Sequence, residues 1–424
     1  MLRTSLAYRA LLRTASALAP LGALVNDKLA RTVALRRGVG ERLAAWSRAS
    51  RDTRRPLAWF HAPSVGEGLQ ARAVLQEFRT RHPDWQVAYT YFSPSAESFA
   101  AGIGADIADC LPVDTPAAVA AALDALHPSL LVFAKLDVWP ELATRAALSG
   151  VPVALVAGTV RPGSGRLRPV ARALLSPGYR ALAVAGAISG DDAARLARLG
   201  VPTDRIHVTG DPRADSVLAR VASVPSDDPL LRLGAGAPTL VAGSTWPADE
   251  DRLLEAFVAV RGRYPEARLI LVPHEPTEEA VERIQRAAAR LGTPPARTLA
   301  QQPEGGSLIV VDRVGVLAAL YGAGDIAYVG GGFGSAGLHS VLEPAAWGLP
   351  VMFGPRWHES RDASLLVTQG GAAAVAGPEE LSRLWIEWIG HDGARTSMGA
   401  RALAVVESDR GASARSAALL EGLA

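Results

Sequence analysis

From Leu57 onward, runs of consecutive, largely apolar residues alternate with stretches of helical period. The runs Leu57–Ala62, Gln86–Phe92, Leu130–Lys135, Val151–Gly158, Leu182–Ser189 and Ile206–Gly210 are apolar on both pleat faces. Such runs predict a parallel sheet covered by helices on both sides. Helical stretches such as Leu69–Arg81 and Ala117–Leu126 lie between them. The alternation breaks at Val221–Pro238, VASVPSDDPLLRLGAGAP, where Pro, Gly, Ser and Asp cluster. It restarts with strand candidates Thr239–Gly243, Arg268–Pro273, Ser307–Asp312, Asp325–Gly330 and Pro350–Phe353. The economical reading is α/β: two doubly wound, Rossmann-like domains. They would span 56–222 and 239–424, joined by a linker at 223–238, with the last helix packing back on the first domain. In such a pair the strand carboxyl ends, and hence the ligand turns, are expected to face a common cleft.

The length of 424 residues agrees with two domains, and 49% hydrophobic residues suffice for two cores. The lone cysteine, Cys110, excludes an intramolecular disulfide. Eight scattered His, with no HExxH motif and no paired Cys, indicate no protein-built zinc site. The net charge of +2 conceals an asymmetry. Residues 1–55 carry twelve basic and three acidic residues, so the remainder is net negative. Within residues 2–25, Arg3, Arg9 and Arg13 punctuate Leu2, Leu6, Leu11, Leu12, Leu18, Leu21, Leu24 and Val25. The charge-free run Thr14–Asn26 is too short to span a bilayer, and no small-residue cleavage site follows it. An amphipathic helix lying on a membrane is expected within residues 2–25, in a basic membrane-associating segment over residues 1–55, against the alternative of a core helix with solvated arginines. Nucleic-acid binding through this arm is disfavoured, because aromatic residues are not interleaved with the charges.

The richest stretch is Asp325–Pro355, DIAYVGGGFGSAGLHSVLEPAAWGLPVMFGP. It reads as a strand, a glycine turn, a helix and a strand. Gly330, Gly331, Gly332, Gly334 and Gly337 allow backbone N–H groups to approach an anion. His339 and Glu343, four apart, are expected on one face of the helix. The literal G-x-G-x-x-G at Gly332–Gly337 points toward a dinucleotide, but no acidic residue closes the next strand, which runs into Pro355 and Arg356.

Other strand exits carry polar groups. Glu67, in WFHAPSVGEGLQ, follows a strand ending at His61; it serves equally well as a general base or as a first-turn acid favouring the helix dipole. In FAKLDVWPEL, Lys135 and Asp137 leave a buried strand, as functional groups or as a surface ion pair. Arg213, in VTGDPRADS, can hold a phosphate or carboxylate with its planar fork, or stand solvated. Ser244 and Thr245, in VAGSTWPADE, can donate to an anion or cap the next helix. Pro273 and His274 close the strand of LILVPHEP.

Together, HAPSVGE, KLDVWPEL, TGDPRADS, AGSTWPADE, LILVPHEP and the glycine-rich stretch resemble, in order and spacing, the 3-deoxy-D-manno-octulosonic acid (Kdo) transferases of lipopolysaccharide assembly. The resemblance is nearly full length and implies a GT-B glycosyltransferase with its active site between two domains. It implies inverting, metal-independent transfer from CMP-Kdo to a lipid A precursor at the cytoplasmic face of the inner membrane, with no cofactor. The family's base falls on Glu67. Its nucleotide site falls on Pro273, His274, Val314, Gly315, Val316, His339, Ser340, Leu342 and Glu343, with Ser244, Thr245, Gly332 and Gly334 adding anion donors. Lys135, Asp137 and Arg213 would assist at the reacting centre. The common family form Glu-Thr-Glu-Leu-Trp-Pro-Asn is here Lys135-Leu136-Asp137-Val138-Trp139-Pro140-Glu141, the usual lysine is Arg213, the usual Arg-His is His274-Glu275, and an Asn is Ser340. The chain thus resembles a divergent branch. Rival readings are a GT-B enzyme for another nucleotide sugar, and a catalytically silent relative. Nothing in the sequence sets an oligomeric state.

Overall fold

The computed structural model describes residues 4–22, 24–301 and 306–423; Leu2 and Arg3 of the amino-terminal segment lie outside them. The chain divides into two compact units, residues 1–215 with 409–424, and residues 216–408. Each is built on a seven-stranded sheet in which every pairing is parallel. The two-sheet α/β expectation therefore holds.

In the first unit the strands are β1 Leu57–His61, β2 Gln86–Tyr91, β3 Ile107–Cys110, β4 Leu130–Ala134, β5 Val153–Gly158, β6 Val184–Ala187 and β7 Ile206–Val208, in the order 3-2-1-4-5-6-7. β1, β2, β4, β5 and β6 are buried at every residue, as their apolar runs require. Trp59, Phe60, Phe78, Tyr89, Phe133 and Tyr179 fill the core around them. Burying one such side chain stabilises by about 2–3 kcal/mol. The strand order reverses between β1 and β4, both of which flank nothing but each other and β2 or β5. That reversal is where a doubly wound sheet opens a crevice at its carboxyl edge.

The basic amino-terminal residues pack on this unit as three helices, Leu6–Gly22, Asp27–Arg36 and Val39–Ser50. Leu43 is buried in the first core. Several of the cations find acids on the body: Arg42 grips Asp109 with two bonds of 2.7 Å, and Arg9 grips Glu141 at 2.8 and 3.0 Å. The outer face of the first helix exposes Leu6, Leu11, Leu18 and Leu21. Among the described residues, no helix is long and apolar enough to cross a membrane. At the other end of the chain, the helix Ala412–Glu421 packs on the helix Val65–Arg81. Asp215 caps it, accepting the Gly411 and Ser413 N–H groups at 2.6 and 2.7 Å.

In the second unit the strands are β8 Thr239–Thr245, β9 Arg268–Pro273, β10 Arg297–Thr298, β11 Leu308–Val310, β12 Ile326–Val329, β13 Val351–Phe353 and β14 Ala372–Ala374, in the order 10-11-9-8-12-13-14. Phe257, Tyr328 and Trp385 pack on one face of the sheet, and Tyr321 on the other. The stretch expected as a linker is partly structured: Pro229–Gly234 forms a 3-10 helix with Leu233 buried in this unit. The reversal of strand order here falls between β8 and β12.

Candidate functional site

In the first unit, the polar groups flagged at strand exits converge on the β1/β4 reversal. Ser64 precedes the helix Val65–Arg81, and Glu67 sits in its first turn. β4 ends at Ala134, and Lys135 follows with φ +63°, its N–H bonded to Val156 O at 2.9 Å. That turn directs Lys135 Nζ to Glu67 Oε1, 2.8 Å away, while Ser64 Oγ donates to Oε2. Burial alone would raise the Glu67 pKa, but the hydrogen bonds from Lys135 and Ser64 outweigh it and hold the carboxyl below its usual range.

A second cluster lies beside the first. His61, fully buried at the end of β1, has Nδ1 3.0 Å from Thr90 O and 3.1 Å from Thr90 Oγ1, and Nε2 3.3 Å from Asp137 Oδ2. Trp139 donates its indole N–H to the same Asp137 oxygen at 2.9 Å, and Arg166 reaches Oδ1 at 3.2 Å. Burial would raise the Asp137 pKa; the contacts with His61, Arg166 and Trp139 bring it below its usual value instead. Asp137 is therefore an ionised anchor for the loop that carries Lys135. The fork of Arg213 folds onto buried Asp211, with Nη2 to Oδ2 at 2.6 Å. Gln70 Nε2 reaches the same carboxylate at 3.3 Å, fixing the turn after β7 to the Glu67 helix.

In the second unit, the exits of β9, β8 and β12 stand side by side. Ser244 takes φ +53° at the end of β8, and Gly330 packs so tightly on the Ser244 carbonyl that a Cβ there would overlap it. The Thr245 hydroxyl is buried and donates to Glu250 Oε1 at 3.1 Å, so it braces the strand end from inside. Pro273 ends β9, and His274 follows with its ring stacked 4.8 Å from Trp246 and 4.5 Å from His339. His339 Nε2 accepts the Trp246 indole N–H at 3.0 Å. Burial, then the neighbouring His274, lowers the His339 pKa.

The glycine turn differs from its expected form. His339 is not on a helix: its N–H closes the loop onto Gly330 O at 3.2 Å, and the helix begins only at Leu342 and ends at Ala346. His339 and Glu343 therefore do not share a helical face. Gly331 and Gly337, at φ +95° and +86°, hold the intervening backbone outside helical geometry. Gly332 abuts Gly354 so closely that a Cβ would stand 2.6 Å from the Gly354 N. The motif is thus a folded loop, without the strand–turn–helix context that a dinucleotide fingerprint requires. Gly334 O is held by Arg356 at 3.1 Å, and Ser340 is exposed. Leu342 is buried, and Glu343 pairs with Arg220 at 2.5 Å. Val314 is exposed beyond β11, and Gly315 at φ +86° leads through Val316 into the short helix Leu317–Leu320.

Sequence reasoning missed Thr90, Arg166, Trp246 and Asp249. Asp249 is wholly buried and accepts the Trp246 N–H at 3.0 Å, the Gly331 N–H at 2.9 Å and the Tyr328 hydroxyl at 2.8 Å. Its spacing from Trp246 is that of a capping box, the one local signal that marks it. Arg166 carries no local signal.

A family model described as 3-deoxy-D-manno-octulosonic-acid transferase (kdotransferase) matches residues 37–216. The 3-deoxy-D-manno-octulosonic acid transferase of Bordetella pertussis is 30% identical over 406 residues, covering 89% of this chain and 90% of that protein. The enzyme of the same name from Haemophilus influenzae is 25% identical over 385 residues, 86% of each chain. Among solved structures, UDP-GlcNAc 2-epimerase from Neisseria meningitidis bound to UDP-GlcNAc superposes with a TM-score of 0.62 at 14% identity, over 87% of this chain and 99% of that one. At that identity the likeness concerns the fold alone.

Proposed function

The chain belongs to the 3-deoxy-D-manno-octulosonic acid transferase family of glycosyltransferases, and from that premise we propose that it transfers Kdo from CMP-Kdo to a lipid A precursor, with Glu67 as general base. The observation that carries this reading is the place of Glu67: a carboxylate in the first turn after β1, at the strand reversal of the first sheet. There it can meet an acceptor hydroxyl. The acceptor oxygen attacks the anomeric carbon of Kdo as the bond to the CMP phosphate breaks. The hydroxyl proton passes to Glu67, and CMP departs with the bonding electrons. The transition state has oxocarbenium character, as in glycoside hydrolysis. The leaving phosphate monoester has a second pKa of about 6, by analogy with phosphoserine. It is a good leaving group, so the reaction requires no divalent metal and no cofactor.

CMP is assigned to the strand exits of the second unit. Backbone N–H groups of the loop at Gly332 and Gly334 and the rings of His274 and His339 suit a phosphate. Ser244, Pro273 and the Val314–Val316 turn line neighbouring strand ends, and Glu343 suits ribose hydroxyls once Arg220 yields it. Lys135 supplies positive charge, Asp137 anchors its loop, and Arg213 braces the turn after β7. The outward apolar face of Leu6, Leu11, Leu18 and Leu21 supports contact with the inner-membrane surface, where a lipid acceptor resides.

The test incubates a tetraacylated lipid A precursor with the protein and CMP-Kdo generated in situ, and reads the product by mass spectrometry. Addition of Kdo is expected. Glu67→Gln should abolish transfer while leaving CMP binding intact, and normal turnover by that variant would sink the assignment of the base. Preference for UDP over CMP would instead favour a different nucleotide sugar.

A further inference from the structure

We propose that Lys135 masks Glu67 in the resting protein, and that the carboxylate of the incoming sugar acid must draw Lys135 away before Glu67 can act; this deepens the reading of Glu67 as general base and rests on it. Both carboxylate oxygens of Glu67 are already hydrogen-bonded, Oε1 by Lys135 Nζ at 2.8 Å and Oε2 by Ser64. An oxygen that accepts from an ammonium group is a poor proton acceptor, since taking the proton would forfeit the ion pair. The same contacts hold the carboxyl below its usual range in spite of burial. As it stands, then, the arrangement stores a weak base.

The geometry also says what can release it. Lys135 leaves β4 in a left-handed conformation that a non-glycine residue adopts at a cost, and which clusters at functional sites. Its side chain is 37% exposed and that of Glu67 is 19% exposed, so the pair lies at the surface, within reach of a ligand. Asp137, two residues on, does not compete for Lys135, because it is committed to His61, Trp139 and Arg166. The other titratable group facing Glu67 is Tyr89 from β2. Burial, and then the charge of Glu67, push its pKa well above the ordinary tyrosine value, so it stays neutral. Its hydroxyl is buried without a hydrogen-bond partner among the described residues. Among the described residues, the charged group that hydrogen-bonds Glu67 is Lys135. A sugar-acid carboxylate binding Lys135 leaves Glu67 without its counter-ion, and its proton affinity rises as the acceptor hydroxyl must be deprotonated. The only proton transferred is from the acceptor O–H to Glu67.

The decisive measurement does not depend on turnover. Carbodiimide amidation modifies protonated carboxyl groups, and peptide mass spectrometry of the full-length protein reads Glu67 labelling against pH. The midpoint should lie about one pH unit higher in Lys135→Met than in wild type, a tenfold change in proton affinity. Free Kdo should raise the wild-type midpoint and leave Lys135→Met unmoved. Lys135→Arg, which keeps the charge, should titrate as wild type does, and circular dichroism with thermal melting checks that each variant is folded. Coincident midpoints for wild type and Lys135→Met, or an equal response of both to Kdo, would overturn the masking. If midpoints coincide while Glu67→Gln is inactive, masking alone fails. If they separate while Glu67→Gln transfers normally, masking stands and the base lies elsewhere.

Discussion

The Nε2 atom of His339 accepts the indole N–H of Trp246 at 3.0 Å. Indole only donates, so the neutral imidazole carries its proton on Nδ1, and protonating Nε2 would break the contact. Burial, then the ring of His274, keeps the His339 pKa below the ordinary value. In the unfolded chain the same ring titrates near about 6.5. Just below that pH the unfolded state binds a proton that the folded state refuses, so stability falls as pH falls. The stabilisation is complete above about pH 6.5 and is lost on going down toward the folded pKa. Urea midpoints, followed by tryptophan fluorescence, should therefore drop between pH 7 and pH 5.5. His339→Gln should flatten that slope, and an unchanged slope would refute the linkage.

Asp249 gathers three donors, the N–H groups of Trp246 and Gly331 and the hydroxyl of Tyr328. It thereby ties the β8 exit to the glycine turn. Asp249→Ala leaves these buried donors without an acceptor, which should cost about 3 kcal/mol. Asp249→Asn should recover only part of it, because the amide NH2 would face donors. Denaturant curves give the stability. Calorimetric titration with CMP should show weaker binding by the variants, as the turn loses its anchor.

The buried strands were legible because both faces are covered: β1, β4, β8, β9 and β12 read as unbroken apolar runs. β3, β10 and β14 were not. All three lie at sheet edges; β3 is half-exposed, β10 has two residues, and β14 is three alanines. Glu67 and Lys135 could each be flagged as polar groups at a strand exit, but not as partners. They are 68 residues apart, and they meet because the strand order sets β1 beside β4. The His339/Glu343 spacing suggested a helix, yet the His339 N–H closes onto Gly330 O instead. Spacing reports what a helix would bring together, and loop closure by glycine is invisible to it.

Gly331 illustrates that closure. Its φ of +95° is costly for any L side chain, and a Cβ there would overlap the Gly337 carbonyl. Gly331→Ala should therefore open the loop, destabilise the second unit by about 2–3 kcal/mol, and weaken CMP binding. At Gly334 a Cβ would make only an ordinary contact, 3.9 Å from the Ala336 N, so Gly334→Ala serves as the control. Equal CMP affinities for the two variants would show that loop closure does not shape the nucleotide site.

The first helix is fastened, through Asp114, to the start of the helix Pro140–Leu148, which follows the Asp137 turn. Tyr8 donates its hydroxyl to Asp114 Oδ2 at 2.8 Å, and Asp114 in turn accepts the N–H groups of Glu141 and Leu142 at 2.9 and 2.8 Å. Burial raises the Asp114 pKa to about 6, against the pull of those donors. Arg9 pairs with Glu141, whose side chain is 1% exposed. Arg9→Met would leave that carboxylate buried with Arg145, 3.8 Å away, as its remaining counter-ion among the described residues, a change that should cost about 3 kcal/mol. Tyr8→Phe should cost about 1–2 kcal/mol through the lost hydrogen bond to a charged group. Neither side chain belongs to the exposed apolar face, so binding to anionic vesicles should survive both changes if that face alone mediates it. Hydrogen exchange across residues 4–22 and 137–145 locates the effect. Loss of protection in both segments together is expected, whereas loss confined to the first helix would show that it rides on the body without supporting the Asp137 loop.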